Sequence, residues 1–424
     1  NDADVPERIN KTVDAASVSI THALSNTLSL EGLSALGVED AARTLDGDGS
    51  ALSLIAARVD EDLAQASQEA KLVWNDPTLP FRGFAGAYYR YFDREARNNI
   101  DATGLGLPFS ALFTSDRTVV TTTNSYALFG EAELDLTKRF RLTAGGRFDH
   151  EKADFEFVNS LAGTEDRAGR TDSVFLPKFA AEFDIGPTAT ISGTVQRGYR
   201  AGGAGQSLLT ATRYAFDPEF TWNYEIALRA TALNNRLSFN SNVFYVDWND
   251  QQVEALTGSP FGGFDTTIVN AGKSEQYGAE AELSYQASKE LRLFTNVGLL
   301  HTEFVEYETA GSNFSGNEFP FAPRYTIGAG AQYNHQSGFF AAASVIWKDD
   351  YFSNAENFER DVIEAHAVVN AQVGYTWQQI TASVFARNLF DKEYLYAKTD
   401  TFGGGRAGAA AEPQVIGVSL KATY

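Results

Sequence analysis

Few residues of this 424-residue chain stand at spacings that could do chemistry. Five histidines, His22, His150, His301, His335 and His366, are scattered along it without the close pairing of a metal site. Cysteine is absent, so neither a thiolate metal site nor a disulfide framework can form. Asp46-Gly47-Asp48-Gly49 opens like a calcium loop, but the pattern ending in a bidentate glutamate is missing, and the segment reads as an exposed turn. The glycine-rich stretches 197–205 and 269–278 lack the Lys-Ser/Thr step of a phosphate loop. Glycine in such segments more often permits a bend or a close approach. No nucleophile elbow and no positioned acid–base pair stands out. Carboxylates do recur two residues apart, at Glu131, Glu133 and Asp135 and at Glu280 and Glu282. On an extended strand that spacing puts them on one face, with Arg147, Arg229 and Arg292 as candidate partners. The expectation is a polar wall rather than a catalytic centre. No cofactor is implied, and the chain is not read as an enzyme.

The elements that must carry these residues are strands. Segments of about ten residues alternate apolar and polar side chains, the period of a β-strand. In 141–150, Leu142, Ala144, Gly146 and Phe148 oppose Arg141, Thr143, Arg147 and Asp149. In 224–232, Tyr224, Ile226, Leu228 and Ala230 oppose Glu225, Arg229 and Thr231. In 277–286, Tyr277, Ala279, Ala281, Leu283 and Tyr285 oppose Glu280, Glu282, Ser284 and Gln286. Short turns follow, such as Asp76-Pro77, Thr137-Lys138-Arg139, Asn234-Asn235-Arg236 and His335-Gln336-Ser337. Between them lie long polar connections at roughly 42–60, 97–122, 158–172, 201–219, 254–267, 305–320, 352–364 and 397–411. Short turns on one rim and long loops on the other are the signature of an outer-membrane barrel. Trp74, Phe183, Tyr285, Tyr333, Trp377 and Tyr424 fall near the short turns, and Tyr91, Tyr199 and Trp248 near the long loops, as two interfacial girdles would.

Composition agrees. The chain is 43% hydrophobic and 13% aromatic, yet its mean hydropathy is −0.25, as expected where lipid-facing and lumen-facing residues alternate. No run approaches the length of a membrane-spanning helix. A formal charge of −21 argues against nucleic acid as a partner and reads as acidic loops and lumen walls. About 17 strands are visible. The first and last both run away from a long-loop rim, whereas a closed single-chain barrel has an even number. An odd number of strands is therefore expected upstream.

Several segments resemble TonB-dependent outer-membrane receptors of the iron-complex type. They are Tyr126–Leu134, Leu142–Glu151, Arg197–Gly203, Pro218-Glu219 with Tyr224-Glu225, and Val269–Lys273 with Tyr277–Glu280. Ala322-Pro323-Arg324, Arg387–Tyr394 and Glu412-Pro413 complete the set, in order over most of 60–424. The resemblance implies an all-β, transmembrane antiparallel outer-membrane β-barrel of roughly 22 strands. Residues 1–424 would then be one barrel domain without its N-terminal plug and first strands. It also implies an outer-membrane receptor for energised uptake of a scarce ligand, a ferric siderophore foremost. Its partners would be outer-membrane lipid and lipopolysaccharide, and the TonB–ExbB–ExbD complex acting through the plug. In that family a terminal aromatic, here Tyr424, helps barrel assembly. The alternatives are a structural or interaction protein within a larger envelope assembly, or a passive porin. Arg213, Tyr214, Phe216, Phe261, Phe264, Tyr351, Phe352 and Arg406 in the long loops have two readings: ligand capture, because aromatics and arginine favour recognition surfaces, or, with the greater weight, packing of the loops against one another.

Overall fold

The computed structural model describes residues 8–46, 54–106, 108, 110, 114–207, 213–256, 266–309, 312–400 and 406–423. They build one antiparallel sheet of 17 strands, the number expected from the alternation. Its strands are β1 (Arg8–Ala23), β2 (Leu28–Asp46), β3 (Ala56–Asn75), β4 (Phe81–Asp101), β5 (Ser115–Asp135) and β6 (Phe140–Asn159). β7 (Thr164–Asp184), β8 (Ala189–Arg200), β9 (Glu219–Ala232), β10 (Leu237–Leu256), β11 (Thr266–Gln286) and β12 (Leu291–Glu306) follow. β13 (Tyr325–Asn334), β14 (Phe339–Lys348), β15 (His366–Trp377), β16 (Ile380–Arg387) and β17 (Val415–Ala422) complete it. Each strand pairs with the next in sequence, an up-and-down meander. Among the described residues β1 and β17 carry a ladder on one side only.

The two faces differ as the alternation requires. Leu128, Phe148 and Phe175 stand directly opposite one another across β5–β7 and are 66%, 48% and 56% exposed. Ile226 and Val243 do the same on β9 and β10, and exposed Leu299 on β12 follows across Ala279 of β11. Such a continuous band of bare hydrocarbon is stable only against lipid. Trp74, Phe183, Tyr285, Tyr333 and Trp377 share this outer face near the short turns. Near the long-loop side, Tyr89 meets Tyr126 and Tyr224 meets Tyr245 at 5.0 and 6.2 Å between ring centroids. Tyr91 lies on this face too. Trp248 does not belong to the girdle. It is an odd number of steps from outward Tyr245, so it turns inward and packs edge-on against Phe319 at 6.1 Å. Tyr199 packs against Phe220 at 5.5 Å. Tyr424 lies outside the described residues.

Several of the expected long loops are strand instead. β3 to β7 run 20 or 21 residues each. At about 3.3 Å per residue and a tilt near 45°, that is roughly 45 Å of height against an apolar band about 25 Å tall. The surplus projects beyond the membrane, where water meets both faces and side-chain alternation fades. β13 and β14 have only 10 residues, and β16 and β17 only 8, so the wall is tall on one side and low on the other. The ladder between β7 and β8 is also short. It runs only from Lys178 opposite Gln196 to Asp184 opposite Thr190, while β6 and β7 pair along their whole length. Pro177, which has no N–H to give, stands where that ladder stops.

On the inner face one contact repeats. Phe129 lies over Gly86, Phe244 over Gly278, Phe294 over Gly330, Phe340 over Gly374 and Phe385 over Gly417, each across one ladder. A β-carbon on any of these glycines would sit 2.3–2.7 Å from the facing ring. The ring covers the backbone that glycine leaves bare and pins the register. For Gly417 the obstruction is the Phe385 ring alone, at 2.4 Å. Gly417→Ala is therefore expected to lower stability by about 1–3 kcal/mol through overpacking, read as an earlier urea-unfolding midpoint. In a Phe385→Ala background the same change should cost almost nothing. Equal costs in both backgrounds would remove the ring–glycine contact as the cause.

Candidate functional site

On the tall rim the described part of the β8–β9 connection packs against the inner face of β6, and polar clamps at its root hold it. Between β8 and β9 the chain forms a small hairpin, Gly203–Gln206 with Arg213–Phe216. Its return limb is fixed by Asn270, whose Oδ1 accepts from the Asp217 N–H at 2.8 Å. The Asn270 Nδ2 donates to the carbonyls of Asp217 and Asp250, at 2.9 and 2.7 Å. Arg200 pairs with buried Glu219 at 2.8 Å, and Glu219 accepts from the Gln252 N–H at 2.6 Å. Arg170 reaches from β7 to the Phe216 carbonyl and to Asp217, at 3.2 and 3.1 Å. Gly202 permits this approach, since a β-carbon there would lie 2.6 Å from both the Arg170 guanidinium carbon and the Phe216 carbonyl oxygen. The segments that carried the family resemblance, 197–203, 218–219 and 269–273, thus meet at one structural knot.

A second anchor closes the low side. Asn388 has positive φ (47°), a conformation asparagine tolerates better than most residues. Its amide donates to the carbonyls of Lys392 and Glu412 at 3.0 and 3.2 Å, and its N–H donates to Asn370 Oδ1 at 3.0 Å. Asp391 accepts from the Gln414 N–H at 3.0 Å. Arg387 pairs with Glu412 at 3.0 Å. The Arg387–Tyr394 motif is therefore a turn that sets the direction of the Leu395–Asp400 and Arg406–Ala410 hairpin. His366 is buried and stacks on Tyr394 at 4.0 Å, which occupies it structurally.

Above β10–β12 lies an aromatic cluster. Phe304 and Tyr307 are 5.0 Å apart, Phe304 and Phe319 4.7 Å, and Tyr307 and Phe314 5.4 Å. Val253 and Ala271 pack beneath them. Two connections knit over this cluster. The Asn317 amide donates to the Ala355 carbonyl at 2.9 Å, and the Phe321 N–H donates to the Phe352 carbonyl at 2.8 Å. The Tyr307 hydroxyl is buried with no hydrogen-bond partner among the described residues. Burial, helped by nearby Glu356, pushes this phenol up to about 12.

Beneath this roof a vestibule of about 710 Å³ opens onto the lumen. Glu225, Arg229, Asn240, Asn242, Glu280 and Glu282 line its wall, and Phe321 and Pro323 its top. Asn242 donates to Glu225 at 3.1 Å. The inner wall expected from the paired carboxylates is present, with different partners. Glu131 pairs with Lys178 at 2.8 Å. Glu133 and Asp135 both pair with Arg82. Arg147 turns to Asp149, two residues on along its own strand, at 2.7 Å. Arg292 donates to Ser284 at 2.9 Å. Register decides these partners, and Arg82 faces Glu133 directly. The pairs are half-exposed and each contributes under about 1 kcal/mol. Among the described residues no Cys/His/Asp/Glu cluster has metal-site geometry.

The candidate recognition residues fall into two groups. Arg213 is exposed, pairs with Asp166 and lies over the Phe157 ring at 5.6 Å. Tyr214 and Phe216 are half-buried with their rings 6.3 Å apart, and Phe216 covers Gly203. These three stay together on the hairpin over the mouth. Tyr351 is buried, with its hydroxyl donating to the Tyr396 carbonyl at 3.2 Å, and Phe352 is half-buried beside it. Both knit the loops of the low side. Arg406 pairs through its backbone with Asp400, and its side chain lies outside the described residues. Phe261 and Phe264 lie outside them too. Residue type alone does not mark the clamps Asn270, Gln252, Arg170 and Asn388 in the sequence. Their only signal there is membership of, or closeness to, the resembling motifs.

Two outcomes follow. Asn270→Ala deletes three hydrogen bonds at the knot and should destabilise the hairpin by about 1–3 kcal/mol. Limited proteolysis should then cut within 203–216 well before the parent is cut there, and identical cleavage rates would exclude the clamp. For Tyr307, a folded-state value above the unfolded one means the neutral phenol is favoured on folding. That contribution is intact below about pH 10 and is lost as pH climbs toward 12. Near-ultraviolet circular dichroism of the cluster should fade across that window, and Tyr307→Phe should shrink the loss.

The family described as TonB dependent receptor-like, beta-barrel matches residues 9–389. A pesticin receptor of Yersinia enterocolitica is 25% identical over 284 residues, 65% of this chain and 40% of that protein. An iron-regulated outer membrane virulence protein of Vibrio cholerae is 25% identical over 315 residues, 69% and 44% of the two chains. The chain thus spans about two-fifths of these curated relatives. Among solved structures, the ferric yersiniabactin uptake receptor FyuA of Yersinia pestis superposes with a TM-score of 0.83 at 19% identity, over 98% of this chain and 62% of that one. The siderophore receptor PiuA of Acinetobacter baumannii gives 0.75 at 14% identity, over 98% and 64%. The chain belongs to the TonB-dependent receptor-like β-barrel family, and its strands cross the outer membrane of a Gram-negative bacterium.

Proposed function

We propose that this barrel is the receptor wall of a transporter that takes up a scarce metal chelate, a ferric siderophore foremost. The observation that carries the reading is the vestibule. It is a cavity of mixed lining, with carboxylates, a guanidinium and amides on its wall and Phe321–Pro323 at its top, where Ala322 packs against the aromatic cluster. A passive pore gains nothing from such a roof, whereas a receptor needs a fixed surface above its path. Relatives carry names of the same kind, including a ferric yersiniabactin uptake receptor and a ferric citrate transporter. In this reading the hairpin residues Arg213, Tyr214 and Phe216 meet the ligand first. Tyr351 and Phe352 on the low side, together with Phe264 and Arg406, complete the proposed capture surface. A plug domain of the full-length protein would fill the lumen, and TonB–ExbB–ExbD would energise its movement. No catalytic step is assigned to the barrel.

The full-length protein, produced in a bacterium stripped of its own siderophore receptors, tests this. Growth on chelated iron should be restored by at least one ferric siderophore, and should vanish when TonB is deleted. Arg213→Ala should weaken binding of that chelate by about tenfold, the equivalent of one charge-assisted contact. Growth that persists without TonB, with steady ion conduction in planar bilayers, would mark a passive pore instead.

A further inference from the structure

Four of the short turns, on the rim opposite the long loops, form a basic arc in an acidic chain. They join β5 to β6, β7 to β8, β9 to β10 and β11 to β12, and carry Lys138, Arg139, Arg236 and Lys289. Glu290 is the one carboxylate among their residues, 136–139, 185–188, 233–236 and 287–290. The arc thus holds four cations against one anion, while the whole chain stands at −21. All four cations are exposed, and none has a carboxylate at ion-pair distance among the described residues. Asp135 and Asp184, at the neighbouring strand ends, are already held by Arg82 and Arg141. Leu136, Ile185 and Leu233 stand in the same turns and are 50%, 54% and 58% exposed. Bare aliphatic side chains there seat the turns in the membrane interface, at the level of lipid phosphates.

One of these cations is fixed in place. Leu233, Asn234 and Asn235 run in the left-handed region, with φ of 54°, 57° and 64°, and lead the chain into Arg236. The Arg236 Nε donates to the Gln286 carbonyl at 2.9 Å and its Nη2 to the Ala287 carbonyl at 2.6 Å, across to the β11–β12 turn. The guanidinium lies over the outward Tyr285 ring at 5.6 Å. Two carbonyls and a ring orient the group without neutralising it. Lys289 belongs to the turn that Arg236 reaches.

Farther from this rim, the lipid face of β9–β12 holds a groove of about 310 Å³. Ser241, Ala279 and Ala281 form its floor, and Ile226, Val243 and Leu299 its sides. Register makes it: Ser241 stands opposite Ala281, and Val243 and Leu299 flank Ala279. Ser241 is five positions from Arg236. At about 3.3 Å per residue and a tilt near 45°, that is roughly 12 Å of depth, half the height of an apolar band about 25 Å tall.

We propose that Arg236 and Lys289 bind the phosphate of one anionic glycerophospholipid of the short-turn leaflet, with an acyl chain in this groove. Charge sets the headgroup. A lipid such as phosphatidylglycerol brings a negative charge to two unneutralised cations, whereas the ammonium of phosphatidylethanolamine would stand against them. Depth sets the tail. A chain descending from a phosphate at Arg236 reaches the groove floor near the middle of the membrane, and a soluble phosphate would leave that floor bare. The leaflet agrees, since the short-turn side of an outer membrane is the phospholipid side. The proposal goes beyond the transport reading and does not depend on which chelate is carried.

Native mass spectrometry of the full-length protein in mild detergent tests it. Delipidated protein is offered equimolar phosphatidylglycerol and phosphatidylethanolamine. One phosphatidylglycerol should be retained with about tenfold preference, the scale expected when two interfacial cations meet one added negative charge. Arg236→Gln should bring the ratio of the two lipids close to one. Because Arg236 also caps two carbonyls, Lys289→Gln, which breaks no contact, should cut the preference severalfold in protein that is certain to fold. Ala281→Phe fills the groove and should lower retention while sparing the turns. Lys152→Gln, on the lipid face toward the long loops, should change nothing. Glycerol phosphate in excess should not displace the lipid. Equal retention of the two lipids, an unchanged preference in folded Arg236→Gln and Lys289→Gln, or displacement by glycerol phosphate would each overturn the proposal.

Discussion

A strand in hydrocarbon has no water to satisfy its peptide groups, so every N–H and C=O must find a partner on a neighbouring strand. Most of this molecule follows from that constraint. It forces each strand to pair with the next, and the pairing fixes register. Register in turn decides which side chains stand opposite one another on two chemically opposed faces. The outer face is built of apolar residues, since only hydrocarbon touches it. The inner face carries carboxylates, guanidinium groups and amides at the same two-residue spacing. The inward phenylalanines laid over glycines serve the same end, because a ring locked against one backbone position resists slippage, and a slip of one residue would exchange lipid face for lumen face.

The same constraint decides what the amino-acid sequence makes legible. Period-two alternation is written directly in residue types, so strand number and the short-turn rim can be read from segments such as 141–150 and 277–286. The upper limits of β3–β7 cannot. Above the membrane both faces meet water, and runs such as Arg117–Asn124 lose the contrast that marks a strand while keeping its ladder. Ion-pair partners are hidden for a related reason. Glu133 chooses Arg82, not Arg147, because cross-strand neighbours depend on turn geometry many residues away. Trp248 suits a girdle by its place along the chain, and only its parity relative to Tyr245 turns it inward.

The motifs behind the resemblance are architectural. Asn270, Gln252, Glu219 and Arg200 tie the root of the β8–β9 connection. Asn388 and Asp391 tie the root of the last one. Loops fixed at their bases can vary at their tips without disturbing the barrel. Sequence similarity should then concentrate where chain direction is set and thin out where ligand is met, which suits relatives only about a quarter identical.

The short ladder between β7 and β8 gives the wall a direction of weakness. A sheet under lateral load parts where few bonds share the force, and between β7 and β8 seven partner pairs join a strand of 21 residues, leaving a notch that starts at Pro177. Arg170 and the hairpin it holds lie across this notch like a stitch. If the barrel breathes as its contents shift, strain will gather at this notch rather than along the fully paired ladders on either side of β5 and β6. The wall then behaves less like a uniform tube than like a cylinder with a sewn seam.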